Sequence, residues 1–292
     1  MCNEAKLERW ARQALNRREF GALGAAGAVT ACASSMPGSN NVMAEPRAID
    51  GNRVSVRLGD GTMDGYFVAP SAGEHPGVIL WPDIASLRPV KMRMADRLAA
   101  EGYAVLVMNP YYRDVSAPIY EDFAAFAADQ GFGKVRPWRE KLEAEAIMSD
   151  ANGAVEWLDT QDRVDTSRGI GTQGYCMGGP FAFWTAAAAP LRVKAVASFH
   201  GGGLVTDDTS SPHRTFDDTR ASYLVAISQD DDAEDPDHKR ILREAATEAG
   251  RPLEIEVYPA DHGWTVPDSP AYDREQAERA YANLLALYRR AL

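Results

Sequence analysis

Strand-like runs alternate with helical stretches over most of this chain, and that alternation limits the fold more than any other feature. The runs are Gly77–Trp81, Tyr103–Met108, a segment opening at Gly169, Lys194–Phe199, Tyr223–Ile227 and Leu253–Tyr258. Helical spacing of apolar residues marks Arg88–Glu101, Glu140–Asp159, Phe181–Ala188 and Asp237–Ala249, and Tyr272–Leu292 closes the chain. Strands joined through helices run parallel, because a parallel return needs a long crossover. Helices on both faces bury the sheet on both sides, which is why Val78-Ile79-Leu80-Trp81 is apolar throughout. Ahead of these runs, Arg53–Leu58 alternates, and Thr62–Val68 is its expected hairpin partner around an Asp60-Gly61 turn. The expected fold class is α/β, a mostly parallel central sheet with helices on both faces, in one domain over residues 46–292. Such sheets carry their sites at the carboxyl ends of the strands.

One strand end stands out. Gly169-Ile170-Gly171-Thr172-Gln173-Gly174-Tyr175-Cys176-Met177-Gly178-Gly179 reads as strand, sharp turn and helix start, with a cysteine at the apex. This is the G-x-S-x-G elbow with sulfur replacing the serine oxygen. A nucleophile on a strained turn needs small neighbours, which Gly174 and Gly178 supply. The following helix turns its positive end toward the sulfur, which favours thiolate. A glycine-flanked cysteine by itself is more often a small buried hydrophobe, so the later strand ends must decide.

Those ends supply partners. The strand ending at Phe199 runs into His200 and three glycines; the one ending at Ile227 runs into Ser228-Gln229-Asp230-Asp231-Asp232; the one ending at Tyr258 runs into Pro259-Ala260-Asp261-His262-Gly263-Trp264. Cysteine, acid and histidine thus follow the chain order of the α/β-hydrolases. His262 would take the thiol proton, and an aspartate would hold its other nitrogen. His200 is the rival base. Composition alone does not choose among the aspartates, which by default form a solvated loop with a helix cap. Two backbone N–H groups, of Met177 and of Ile84 in the loop after Trp81, are the expected oxyanion hole.

The N-terminus reads differently. Lys6, Arg9, Arg12, Arg17 and Arg18 precede a glycine- and alanine-rich run from Phe20 to Ala31, the pattern of an export signal of the twin-arginine kind over residues 1–32. Val29-Thr30-Ala31-Cys32 resembles a lipobox with Cys32 lipidated, whereas Ala31-Cys32-Ala33 resembles an ordinary signal-peptidase site. A flexible tether follows over 33–45. The expectation is an exported, periplasmic protein, with a membrane tether if Cys32 carries lipid. The chain has three cysteines, two of them in this leader, which rules out a disulfide framework and an all-cysteine zinc site. The net charge of −11 argues against nucleic acid as a partner.

The ordered set resembles the dienelactone hydrolase family. G-Y-C-M-G-G, the later aspartate and the His262-Gly263-Trp264 loop carry the resemblance, with Met94–Tyr103 and Ser198–Gly203, over about residues 50–290. The family implies an α/β-hydrolase fold and hydrolysis of small esters or lactones of the carboxymethylenebutenolidase type, through a Cys-His-Asp triad and an acyl-enzyme, without cofactor or metal. Its acid lies three residues after a small residue at the strand end; here that is Ser228, so the resemblance selects Asp231. A family carboxylate beside the nucleophile, usually glutamate, helps control the thiol proton, and Asp83 occupies its place. Two arginines clamp a substrate carboxylate in members that open dienelactones. Arg113 matches one, with Tyr112 and Trp264 as further substrate contacts, but Val266 stands where the other belongs. Alternatives from the sequence are a non-catalytic tethered scaffold on the same fold, and a thioester or peptide hydrolase. Oligomeric state is not legible.

Overall fold

The computed structural model describes residues 47–292. The export-signal, lipobox and tether assignments, with Cys32, lie outside the described residues. Eight strands form one sheet: β1 (Ile49–Leu58), β2 (Gly61–Pro70), β3 (Gly77–Trp81), β4 (Ala104–Val107), β5 (Ile170–Tyr175), β6 (Val193–Phe199), β7 (Ser222–Ser228) and β8 (Leu253–Tyr258). Their spatial order is β1-β2-β4-β3-β5-β6-β7-β8. β1, β2 and β4 pair antiparallel, and every pairing from β4 through β3 to β8 is parallel. The mostly parallel α/β sheet read from the alternation of elements is observed, and it has the α/β-hydrolase fold that the family resemblance implies. The hairpin turn falls one residue earlier than expected, at Gly59-Asp60, because Leu58 pairs with Gly61.

The strand pleat feeds two cores. In β3, Val78 and Leu80 point to one face, where Leu98, Leu284 and Tyr288 meet them; Ile79 and Trp81 point to the other, with Ile147, Leu158 and Phe183. Helices α1 (Pro89–Ala100) and α8 (Arg274–Ala291) cover the first face. Helices α4 (Ala144–Leu158) and α5 (Gly178–Ala188) pack together over the second, and α7 (His238–Glu248) lies farther along it.

Between β4 and α4 the chain forms two short helices, α2 (Phe123–Ala128) and α3 (Gly131–Arg139), that hydrophobic periodicity does not disclose. Gly131, Gly133 and Pro137 obscure the helical signal. Asp122 caps α2 by accepting from the Ala125 N–H; Phe132 packs edge to face on Phe123 and Phe126, and Tyr120 edge to face on Phe126. The expected helix from Glu140 therefore starts at Ala144; Glu140 is the C-cap of α3 instead. A last short helix, α6 (Gln229–Glu234), stands where the acidic run predicts a loop. Ser228 nucleates it by accepting from the Asp231 N–H.

Candidate active site

Cys176 occupies the turn between β5 and α5 with φ of 53°. A side-chain-bearing residue in that left-handed region is uncommon and costs energy, which surrounding contacts must offset. They do so through close backbone packing. The Cys176 N–H donates to Phe199 O at 3.0 Å. A Cβ on Gly174 would fall 1.8 Å from Gly178 O, and one on Gly178 would fall 2.6 Å from Trp81 O. Both glycines are thus required for α5 to start directly on β5 and against the loop after β3. Met177 is the N-cap of α5, so its N–H belongs to the helix end where donors lack intrahelical acceptors.

The acidic run divides its work among three side chains. Asp231 Oδ2 accepts from His262 Nδ1 at 2.7 Å and from Ser228 Oγ at 2.5 Å. Asp230 Oδ1 accepts from the backbone N–H of His262 at 2.9 Å. Asp232 turns away to Lys239. One carboxylate therefore fixes the histidine ring and its neighbour fixes the loop that carries it. Because an ionised carboxylate only accepts, Nδ1 carries the proton and Nε2 is left as the basic nitrogen. Burial alone would raise the Asp231 carboxyl, but the hydrogen bond and charge of His262, with the Ser228 hydroxyl, bring it below its ordinary value.

His200, the rival base, sits at the end of β6 in the same pocket, its ring 4.8 Å from that of His262. Its Nε2 lies 2.9 Å from Thr265 Oγ1, so it has a hydroxyl rather than a carboxylate as partner. Burial pushes this imidazole well below its usual range, with His262 and Lys91 adding to the shift. It is a neutral neighbour of the His262–Asp231 pair.

Asp83 does not face the pocket as an unencumbered base. Its Oδ1 and Oδ2 accept from Arg88 at 2.7 and 3.0 Å, and Oδ1 also accepts from the Ala85 N–H at 3.0 Å. Lys91 Nζ lies 2.8 Å from Oδ2, an ion pair without the direction of a good hydrogen bond, and also sits 4.4 Å over the Tyr175 ring. Arg88 is bracketed on its other edge by Asp268, with Nε and Nη2 each 2.8 Å from that carboxylate. Burial would raise the Asp83 carboxyl, yet the charges of Arg88 and Lys91 outweigh it and hold it well below the usual carboxylate range. Asp83 is a fixed charge that ties the loop after β3 to α1.

That loop carries Ile84, and Tyr111 locks it in place. The Tyr111 hydroxyl meets Ile84 O at 3.0 Å and Met177 Sδ at 3.4 Å, touching both residues of the expected oxyanion hole. Nothing in the sequence pattern singles out Tyr111; only the fold brings it between the two. Tyr111→Phe should lower kcat about tenfold with KM little changed, since a mispositioned donor costs transition-state stabilisation rather than ground-state binding. Steady-state kinetics checks this, and a raised KM with kcat unchanged would point to binding instead.

Asp83, Ile84, Cys176, His262 and Val266 share the lining of one pocket with Phe123 of α2. Arg113 and Tyr112 are elsewhere: neither lines this pocket or the cleft beyond Cys176. Arg113 reaches Asp150 at 2.7 Å and Asp60 at 2.8 Å, and the Tyr112 hydroxyl donates to Asp150 at 2.8 Å, so both are committed to the β1–β2 turn and α4. Trp264 is wholly buried behind the histidines, stacked on Tyr258 and edge-on to His200. With Val266 on the wall, the pocket has no arginine clamp. Among the described residues no cluster of His, Cys, Asp and Glu is arranged to hold a metal ion.

The family model for the dienelactone hydrolase family matches residues 63–292. The chain belongs to the dienelactone hydrolase family. Among curated relatives of this family, a Synechocystis protein provisionally named a carboxymethylenebutenolidase is 28% identical over 234 residues, covering 78% of this chain and 92% of that protein. The Rhodococcus opacus carboxymethylenebutenolidase is 27% identical, covering 68% of this chain and 75% of its own. A crystal structure from Klebsiella pneumoniae, provisionally named a dienelactone hydrolase, superposes with a TM-score of 0.71 at 23% identity, covering 83% of this chain and 99% of that one. Membership in this family makes the chain a member of a hydrolase family.

Proposed function

We propose that this hydrolase uses Cys176 as its nucleophile, His262 as general base and acid, and Asp231 to hold the imidazole, on small esters or lactones. The observation that carries the reading is the 2.7 Å hydrogen bond from His262 Nδ1 to Asp231 Oδ2 in a pocket that Cys176 also lines. His262 takes the thiol proton as sulfur attacks the ester carbon, and Asp231 stabilises the imidazolium. The N–H groups of Met177 and Ile84 receive the oxyanion. Collapse expels the alkoxide, which takes its proton from His262 and leaves a thioester on Cys176. Water, deprotonated by His262, attacks that thioester; the second collapse releases the carboxylic acid and restores the thiol. Asp83 contributes through Arg88 and Lys91, by holding the Ile84 loop, rather than by taking the proton itself.

The alkene-bearing anionic lactone of a dienelactone enzyme is a poor fit, since Val266 replaces one clamp arginine and Arg113 is bound to Asp150. Turnover of p-nitrophenyl acetate by wild type and Cys176→Ala tests the reading; undiminished turnover in the variant would sink it. A purely scaffolding protein would show no Cys176-dependent turnover on any ester.

For the leader, we propose export to the periplasm with lipid on Cys32. Intact mass of the membrane fraction should show a diacylglyceryl-sized addition at Cys32, and a soluble mature form starting at Ser34 would refute it.

A further inference from the structure

Cys176 stands at the junction of two cavities. One is the small pocket with His262 on its wall. The other is a larger cleft that Ile84, Cys176 and Met177 also line. His262 lines the first and not the second. This asymmetry assigns the two halves of an ester. The departing oxygen must reach His262 to be protonated, so the alcohol half lies in the small pocket. The acyl half, whose carbonyl oxygen points between the N–H groups of Ile84 and Met177, then extends into the large cleft.

The cleft wall shows what acyl group it suits. Phe181 and Trp184 of α5 stack at 5.8 Å, with an interplanar angle of 24°, and Leu142 and Pro180 extend the apolar surface. Trp184 donates its indole N–H to Ser210 O at 2.8 Å, which fixes the ring against the loop opposite. The rim carries Glu140, Glu143, Glu145 and Asp208 against Arg139. The N-terminus of α4 also opens here and would attract an anion, but Glu143 at its cap and Glu145 in its first turn already occupy that field.

We propose that the cleft is an acyl subsite and that the substrates are esters with a bulky, uncharged or cationic acyl group and a small alcohol. The proposal rests on the hydrolase reading above. Two isomeric esters test it directly: methyl 3-phenylpropanoate places the aryl group on the acyl side, and 2-phenylethyl acetate places it on the alcohol side. Each methylene buried in the cleft should raise kcat/KM about fourfold. The first isomer should therefore exceed the second at least about tenfold in kcat/KM. Monomethyl succinate, anionic on its acyl side, should fall at least about tenfold below methyl pentanoate, the electrostatic part shrinking with added salt. Trp184→Ala removes the wall, and Thr209→Trp, at an exposed rim position, narrows the cleft without disturbing the core. Each should reduce the isomer ratio at least about fivefold. Binding of 3-phenylpropanamide to Cys176→Ala, read by tryptophan fluorescence, should weaken on adding Thr209→Trp. Cys176-dependent hydrolysis with no preference between the isomers, or a preference untouched by both variants, overturns the acyl subsite and leaves the hydrolase reading standing. No Cys176-dependent hydrolysis of any ester overturns both.

Discussion

Cys176→Ala is expected to lower kcat/KM for its best ester by about 10⁴-fold or more, to the level set by binding and the oxyanion hole alone. The size of the effect follows from the proposed covalent route. Without sulfur there is no thioester, so His262 and Asp231 have no nucleophile to serve, and losses within such a set do not add. The structural cost should be small. Alanine removes only one sulfur from a turn whose backbone is held by the Cys176 N–H bond to Phe199 O and by the close contacts of Gly174 and Gly178. Circular dichroism and Tm should thus stay near wild type while turnover disappears. A second measurement isolates the intermediate: acid-quenched wild type should carry the acyl mass on the peptide containing Cys176, and Cys176→Ala should carry none. Retained turnover, or an acyl group on another residue, would remove the cysteine from the mechanism.

The sequence made the sheet readable because both of its faces are buried. Parallel strands with no solvent face are apolar along most of their length, so β3, β6 and β7 stand out; α1 and α4 show one apolar face each, and α5, buried nearly all round, is apolar almost throughout. The same logic fails between β4 and α4. There Phe123, Phe126 and Phe132 pack on one another from two helices of six and nine residues, too short for a period to emerge. In the site, the order of cysteine, acid and histidine was visible as strand ends, but the choice of aspartate came only from the family resemblance. Asp230, Asp231 and Asp232 are identical as letters and differ only because the first turn of α6 aims them in three directions, toward the His262 backbone, the His262 ring and Lys239. Arg113 shows the converse limit. An arginine after the second parallel strand matched the family's clamp, yet Asp150, on the second turn of α4, lies within its reach and binds it. No local pattern couples residues 37 positions apart.

The largest stability effect is expected from Arg88→Met. Arg88 is fully buried between Asp83 and Asp268, and its five donors bridge the loop after β3, the start of α1 and the chain after His262. Removing one member of a buried ion network leaves its partners desolvated and uncompensated, which costs about 3–5 kcal/mol. Asp83 would keep only Lys91 and the Ala85 N–H, and Asp268 only the Phe123 N–H. Denaturant unfolding checks the magnitude, and a loss under about 1 kcal/mol would contradict it. The pH dependence gives a sharper signature. In the wild type Asp83 is held well below the usual carboxylate range, whereas in the unfolded chain an aspartate titrates near about 3.9. The folded state therefore binds the proton less readily, and this stabilisation is complete above about pH 4 and lost as pH falls toward the folded value. In Arg88→Met, burial is no longer outweighed by the guanidinium, so Asp83 protonates at higher pH and its uncompensated charge disappears on acidification. The stability gap between wild type and variant should then be widest above about pH 5 and should narrow steadily as pH falls toward 2. Adding Asp268→Asn to Arg88→Met should cost less than the sum of the two single changes, because the second removes a carboxylate that the first has stranded. A gap independent of pH, with strictly additive losses, would instead assign Arg88 a packing role through its aliphatic stem and its contact over Phe123.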